Sequence, residues 1–566
     1  MEHKTEQVQF QPSQADSREL WIRYIKEDRQ IISLTFGNTI SASHSTTIST
    51  YDLFHTRANH HWHANVKVFV HETHIDKLSM REGIEERVER LVEDVKPMIA
   101  KAVDPLANLE LIDGMRKMGL SNLFDKEMKE ALETVASTNK GTFTVEDHVY
   151  ASALRFKLLR QYGYVVSQNE LRNFKEESDT FNRSNCEDVE AMIQLLEASH
   201  LALKGENILD EAKAFSTGIL HDRVSSLDGR LFKCAVHALE LPMHWRVHRF
   251  DIKWQIDLYE EQEDKQSNLL ELAKLNFNMV QATHQRDLIE ISRWWRDVGL
   301  IEQAHFTRDR PVESFLCALG LSQEPRFSSL RKSLTKVVIF ILVIDDVYDI
   351  YGSLEELEYF TGAITRWDSE QIQQLPECMK VCFRALHDVT YEIAYDIGKK
   401  ENWHRVLPLL TKAWAGFCNA LLTEAKWDHW GYTPTLEEYL NNAWTSSSGP
   451  LLMSHAYFFV GHMKLEDAAD FLERNKDLIY NVSMIIPLCN DLGTSKAEID
   501  RGDAPSSVVC YMREANTPLL RPYIDVTVNA ARAAHMLYQF GDGFSIQDGN
   551  FGQRILSTVI EPLAIN

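Results

Sequence analysis

Two sets of oxygen-bearing side chains recur at helical spacing in this chain. The first is Asp345-Asp346-Val347-Tyr348-Asp349. The second is Asn490, Thr494 and Glu498 within Asn490-Asp491-Leu492-Gly493-Thr494-Ser495-Lys496-Ala497-Glu498. On a helix, Asp345 and Asp349 project from one face about one turn apart, with Asp346 beside that face. Asn490, Thr494 and Glu498 follow one another four residues apart and line one face over roughly 12 Å at 1.5 Å per residue. Crowded carboxylates repel unless cations lie between them. Carboxylate, amide and hydroxyl oxygens suit a hard cation such as Mg²⁺ or Mn²⁺, which keeps positions open for phosphate oxygens and water. Two such sets make a clamp for a diphosphate.

Other residues could serve the same chemistry. Arg308 and Arg310 flank Asp309 upstream of the first set, and guanidinium groups bind phosphate oxygens in pairs and stay charged. By itself such a triplet is most often a surface ion pair. Thr445-Ser446-Ser447-Ser448-Gly449-Pro450 interrupts a helical stretch, and Pro450 and Gly449 predict a kink. Carbonyls freed there could face a carbocation; an ordinary turn is the plainer reading. Trp294, Trp295, Trp427, Trp430, Trp444 and Tyr538 could present π faces to a cation, although aromatics at helical spacing are usually core.

These side chains need long buried helices to hold them. Val337 to Ile344 runs into the first set without a polar residue. Its β-branched content is compatible with a buried strand; as a helix it is apolar all round and central. Met484-Ile485-Ile486-Pro487-Leu488-Cys489 leads into the second set in the same way. Upstream, Ile84, Val88, Leu91, Val92 and Val95 recur at three- and four-residue steps, and similar segments cover 106–115, 189–203 and 269–280. Strand alternation is nearly absent, so the chain reads as all-α. The charged stretch Glu260 to Asn268 is the preferred boundary, giving a leader (1–75), an N-terminal helical domain (76–262) and a C-terminal metal-binding domain (263–566).

Composition narrows the partners. The chain has 566 residues, 44% hydrophobic, with a formal charge of −23. Nucleic acid is disfavoured, because phosphate backbones need a basic footprint. The same charge means that a diphosphate must be met locally, by metal and arginine. No apolar run reaches the about 18 residues of a membrane span. Eight cysteines make no disulfide framework, and Cys378 and Cys382 read as reduced thiols. His60, His61, His63, His71 and His74 match no tetrahedral metal spacing. The N-terminus is rich in acids before Ile31, then Ser/Thr-rich and acid-free from Ile31 to Thr50, so a cytoplasmic protein is favoured over a plastid one.

Taken in order, Arg308-Asp309-Arg310, the Asp345–Asp349 set with Ile350-Tyr351-Gly352, and the Asn490–Glu498 set followed by Arg501-Gly502-Asp503 resemble the plant class I terpene synthases from about Lys77 to the C-terminus. The resemblance implies an all-α fold of two helical domains, a relict N-terminal α-barrel and a catalytic bundle. It implies three divalent metals, two on Asp345, Asp346 and Asp349 and one on Asn490, Thr494 and Glu498. The diphosphate of the substrate is expected among Arg308, Asp345, Asp349 and Asn490. Leu241 to His248, Leu272 to Gln281 and the lack of a tandem-arginine motif look most like the linalool/nerolidol branch. That branch implies ionisation of geranyl or farnesyl diphosphate and capture of the cation by water, in a monomer.

Three positions depart from the family pattern. Pro487 stands where many relatives have a diphosphate-binding arginine, and Cys317 where cyclising relatives often have tryptophan. The stretch from Glu498 to Asp542 is shorter than expected by about one helix of the lid region. Another hydrocarbon-forming synthase and a non-catalytic homologue are the alternatives. A chain-elongating prenyltransferase would need a second aspartate-rich motif, and none is present.

Overall fold

The computed structural model describes residues 78–565 apart from 102–103, 138–147, 176–180, 182–187, 204, 399–401, 433, 461–467, 499–520 and 539–553. The histidine-rich and Ser/Thr-rich N-terminal segments therefore lie outside the described residues. Within them every regular element is helical, apart from one isolated bridge between Lys175 and Phe181. This is the all-α class expected from the apolar periodicity.

Two hydrophobic cores organise the helices. The first is built by α1 (Leu78–Lys101), α2 (Pro105–Lys117), α3 (Ser121–Ser137), α4 (His148–Gln161), α5 (Val189–Ser199), α6 (Asn207–Val224), α7 (Gly229–Glu240) and α8 (His248–Glu260). Val88, Leu91 and Val95 of α1 are buried there, at the three- and four-residue steps read from the sequence. Lys157 is wholly buried in this core. Its ammonium donates to Asp113 Oδ2 at 3.0 Å, Gln194 Oε1 at 2.7 Å and Glu197 Oε2 at 2.8 Å. Burial of that charge is tolerated only because every donor has an acceptor.

The second core is built around α11 (Ser328–Asp346), after α9 (Ser267–Val298) and α10 (Pro311–Leu321). Val337, Val338, Ile339, Phe340, Leu342, Val343 and Ile344 are all buried in α11, so the run that also suited a strand is a central helix. Around it stand α12 (Leu354–Arg366), α13 (Glu377–Ile397), α14 (Trp403–His429), α15 (Leu436–Ser446), α16 (Gly449–Val460), α17 (Ala468–Arg474), α18 (Lys476–Glu498) and α19 (Arg521–Tyr538). By length and composition alone α14 is apolar enough to cross a bilayer. In this fold it packs Val406, Leu410, Trp414, Phe417 and Leu421 into the second core.

The charged stretch after α8 is the connection to α9. Helix α9 belongs to both cores: Leu269, Leu272, Ala273, Leu275 and Phe277 enter the first, and Leu288, Ile291 and Trp295 enter the second. Between them Asp287 accepts from the buried Arg331 of α11 and from Ser328 Oγ at 2.6 Å. The polar residues of the Leu272–Gln281 segment tie distant chain together: Asn276 Nδ2 donates to Gly119 O at 3.0 Å, Asn278 Nδ2 to Leu563 O at 3.0 Å and Gln281 Nε2 to Thr558 O at 3.1 Å.

Candidate active site

Helix α11 ends at Asp346, and Val347–Tyr351 continues it as a wider π turn closed by Gly352 N donating to Val347 O at 2.9 Å. Such turns are rare and often sit at functional sites. This one is fixed from below, where the buried Tyr348 hydroxyl meets Thr361 Oγ1 of α12 at 2.6 Å. The first acidic set thus lies across the junction of two helical windings.

A strap of chain, residues 304–310, crosses this junction and carries Arg308 and Arg310. Phe306 stacks on Tyr351 with ring centroids 4.5 Å apart. The Arg308 backbone N–H donates to Asp346 Oδ2 at 2.7 Å. Its guanidinium reaches Asp345 Oδ2 at 2.6 Å through Nη2 and Asp346 Oδ1 at 2.8 Å through Nε. Asp309 accepts from Trp295 Nε1 of α9 at 2.9 Å, and Arg310 lies 3.9 Å from the buried Glu313. Asp346 is buried and faces the strap with both oxygens. Arg308 is therefore locked to the aspartate set, while Asp309 and Arg310 meet Trp295 and Glu313.

Burial pushes the Asp349 carboxyl up to about 7, and the nearby Asp345 and Glu424 carboxylates push the same way. Asp346 is also raised, by burial first, with Arg308 opposing. Glu424 of α14 belongs to none of the sequence motifs. It is half-buried and raised, by burial first, and it accepts from Asn442 Nδ2 at 2.9 Å and Ser446 Oγ at 2.7 Å. A single acid in the apolar stretch Leu421-Leu422-Thr423-Glu424-Ala425 was the available signal. Asp349 is itself exposed and Glu424 half-buried, so their raised carboxyls report the negative charge gathered at this end of the bundle. A hard cation is what such an all-oxygen donor set fits. Among the described residues no three acidic, His or Cys side chains converge on one ion position.

The second set lies on one continuous helix, α18, which runs through Glu498, so Asn490, Thr494 and Glu498 share a face by register. Their side chains lie outside the described residues, as does the whole of 499–520. Pro487 is buried inside α18 and has no N–H for the carbonyl of Ser483. That carbonyl accepts instead from Ser447 Oγ at 3.2 Å. The expected break is present: α15 ends at Ser446 and α16 begins at Gly449, with Ser448 in the left-handed region at φ 67°. A Cβ on Gly449 would run into the Ser483 side chain and lie 2.8 Å from its Cα. The break is where α18 docks.

The aromatic expectations divide. Trp295 anchors the strap. Trp294 carries Lys336 Nζ 4.7 Å over its ring, Trp444 donates to Asn441 O at 3.0 Å and lies beside Tyr480, and Trp430 is exposed. Cys317 is buried in α10 with its thiol pushed up to about 12 by burial, and Cys378 and Cys382 are free thiols.

Comparison with known proteins places this geometry. The model of the terpene synthase N-terminal domain matches residues 61–239, and that of the terpene synthase metal-binding domain matches 296–520. The chain belongs to the terpene synthase family. It is a class I terpene synthase, a lyase. Alpha-farnesene synthase of Ricinus communis is 48% identical over 513 residues, 85% of this chain and 91% of that protein. Alpha-thujene synthase, chloroplastic, of Litsea cubeba is 43% identical over 510 residues, 85% of this chain and 87% of that protein. Among solved structures, isoprene synthase from grey poplar, in complex with three Mg²⁺ ions and dimethylallyl-S-thiolodiphosphate, is 40% identical. It superposes with TM-score 0.79 over 85% of this chain and 97% of that one. Limonene synthase with 2-fluorolinalyl diphosphate gives 0.78 at 36% identity, over 86% and 95%. These relatives establish the plant family at large, without selecting the linalool/nerolidol branch within it.

Proposed function

We propose that this synthase ionises geranyl or farnesyl diphosphate and that water captures the allylic cation, giving an acyclic alcohol of the linalool/nerolidol type. The observation that carries the reading is the grouping of Asp345, Asp346 and Asp349 at the end of a buried helix, with Glu424 close enough to raise Asp349 and with Arg308 paired to Asp345 and Asp346. Asp345 and Asp349 on one side, and Asn490, Thr494 and Glu498 on α18, are the residues that would hold divalent metal. The isoprene synthase complex with three Mg²⁺ ions supports the use of divalent metal. Bound metal would neutralise the charge that builds on the departing diphosphate. Arg308 and Arg310 bind the same leaving group through charge-assisted hydrogen bonds. Asp346 holds the strap that presents Arg308, through the backbone bond at 2.7 Å. Carbonyls freed at the helix break at Ser447–Gly449 would serve the developing cation. The division at Glu260–Asn268 into N-terminal and catalytic domains is retained.

Names of relatives favour the prenyl diphosphate class without choosing its length or the acyclic alcohol, since farnesene, thujene, myrcene and geraniol synthases all match. A hydrocarbon product is the second reading, favoured by the farnesene synthases at 48% identity. The relatives named chloroplastic support a plastid reading of Ile31–Thr50 alongside the cytoplasmic one. The test is incubation of purified protein and Mg²⁺ with each substrate, followed by diphosphate release and gas chromatography of products. Release of diphosphate from neither substrate refutes the reading, and full activity in Asp345→Ala refutes the role of Asp345.

A further inference from the structure

Arg308 stands in an unexpected place for a residue whose partner is a diphosphate. Its guanidinium spans Asp345 and Asp346 at 2.6 and 2.8 Å, so one of the two carboxylates best placed to bind metal already has a cation beside it. The arrangement is built, not incidental. The strap is held on either flank by groups that do not move with the guanidinium: Phe306 stacks on Tyr351, and Asp309 accepts from Trp295. The backbone N–H of Arg308 is fixed to Asp346 as well. Only the Arg308 side chain is left to change partners. The absence of any three-ligand convergence among the described residues fits the same picture.

We propose that Arg308 is the resident counter-ion of the aspartate set, and that it hands Asp345 to metal only when a diphosphate offers it another anion. The inference rests on the metal-binding reading given above and adds an order to it. A guanidinium and a divalent cation cannot both occupy the near side of Asp345. Metal alone must pull the guanidinium off Asp345 and leave it its contact with Asp346, which costs one ion pair. Metal together with diphosphate displaces it onto phosphate oxygens, which offsets that cost. Loading is therefore cooperative, and the linkage is reciprocal: whatever diphosphate does for metal affinity, metal does for diphosphate affinity. Such a device offsets part of the site's negative charge between turnovers and resists loading with metal alone.

The test is Mn²⁺ binding to the full chain, followed by electron paramagnetic resonance of free Mn²⁺, without substrate and then with inorganic pyrophosphate. Arg308→Gln should bind Mn²⁺ about tenfold more tightly than the wild type when pyrophosphate is absent, the size of one partly exposed charge-assisted pair. The enhancement of Mn²⁺ affinity by pyrophosphate should be smaller in Arg308→Gln than in the wild type. Arg308→Lys, whose single ammonium cannot span both carboxylates in the same way, should fall between them and serves if the glutamine variant does not fold. Equal or weaker Mn²⁺ binding by both variants without pyrophosphate overturns the proposal. Absence of Mn²⁺ binding to the wild type even with pyrophosphate overturns the metal-binding reading itself, and the two failures are thereby told apart.

Discussion

Pro487 and Ser447 should behave as one unit. Proline within α18 leaves the Ser483 carbonyl without its helical donor, and Ser447 Oγ supplies one from the break between α15 and α16 at 3.2 Å. Ser483 is fully buried, so its carbonyl has little water to fall back on. Ser447→Ala should then cost about 1–2 kcal/mol, the penalty of a buried acceptor left unpaired. In the Pro487→Ala background the helix regains its own N–H, and the same change should cost only about 0.5 kcal/mol. The coupling is thus about 1 kcal/mol, large enough for a double-mutant cycle to resolve. A chain this long is a poor two-state folder, so the readout should be local: hydrogen exchange across Lys476–Glu498, with diphosphate release measured beside it. Ser447→Ala should speed exchange in that helix, and Pro487→Ala should restore it. Additive effects of the two substitutions would falsify the pairing.

Trp295→Phe keeps the ring in the core but removes the donor to Asp309. Diphosphate release should fall about tenfold through a looser strap, with unfolding shifted by less than about 1 kcal/mol; unchanged turnover would show that the strap needs no anchor there. Lys157→Met removes the buried ammonium from Asp113, Gln194 and Glu197 and leaves Lys117 as the remaining cation of the two carboxylates, and should cost about 3 kcal/mol, seen as a lower urea midpoint for the first core. His200, His248, His455 and His535 are held down to about 4 by burial, and burial also holds His244 and His284 well below the usual imidazole range. An unfolded chain takes up protons at these sites below about pH 6.5 while the native chain refuses them, so stability is intact above that pH and falls as pH drops toward 4. Melting temperatures recorded across this window should decline steadily on the acid side, and a flat profile down to about pH 5 would contradict the burial of these imidazoles.

The helical class and the order of the motifs were legible because they are written in residue type and spacing. The run Val337–Ile344 was ambiguous for a physical reason: a helix buried on all sides has no polar face to reveal its period. The seriousness of the Arg308 pairing was not legible, because a triplet of alternating charges looks the same whether it faces water or a buried carboxylate. Glu424 carries no motif and enters the site only because α14 packs beside the π turn. Ser447 could be read as part of a break, but its acceptor lies on another helix and belongs to the fold alone. Pro487 was readable as a departure from the family pattern; its compensation was not.

Helix α9 has a consequence for anyone who would recombine this protein with a relative. Its first half seals one core and its second half the other, with Trp295 near the far end steadying the strap. A splice at the charged connection before it would give the incoming N-terminal half a foreign helix to close against. A splice beyond Trp295 would put a foreign anchor under Arg308. Exchange of halves between relatives should therefore succeed only when α9 travels with compatible residues on both of its faces, which makes it the unit of inheritance that chimaeras must respect.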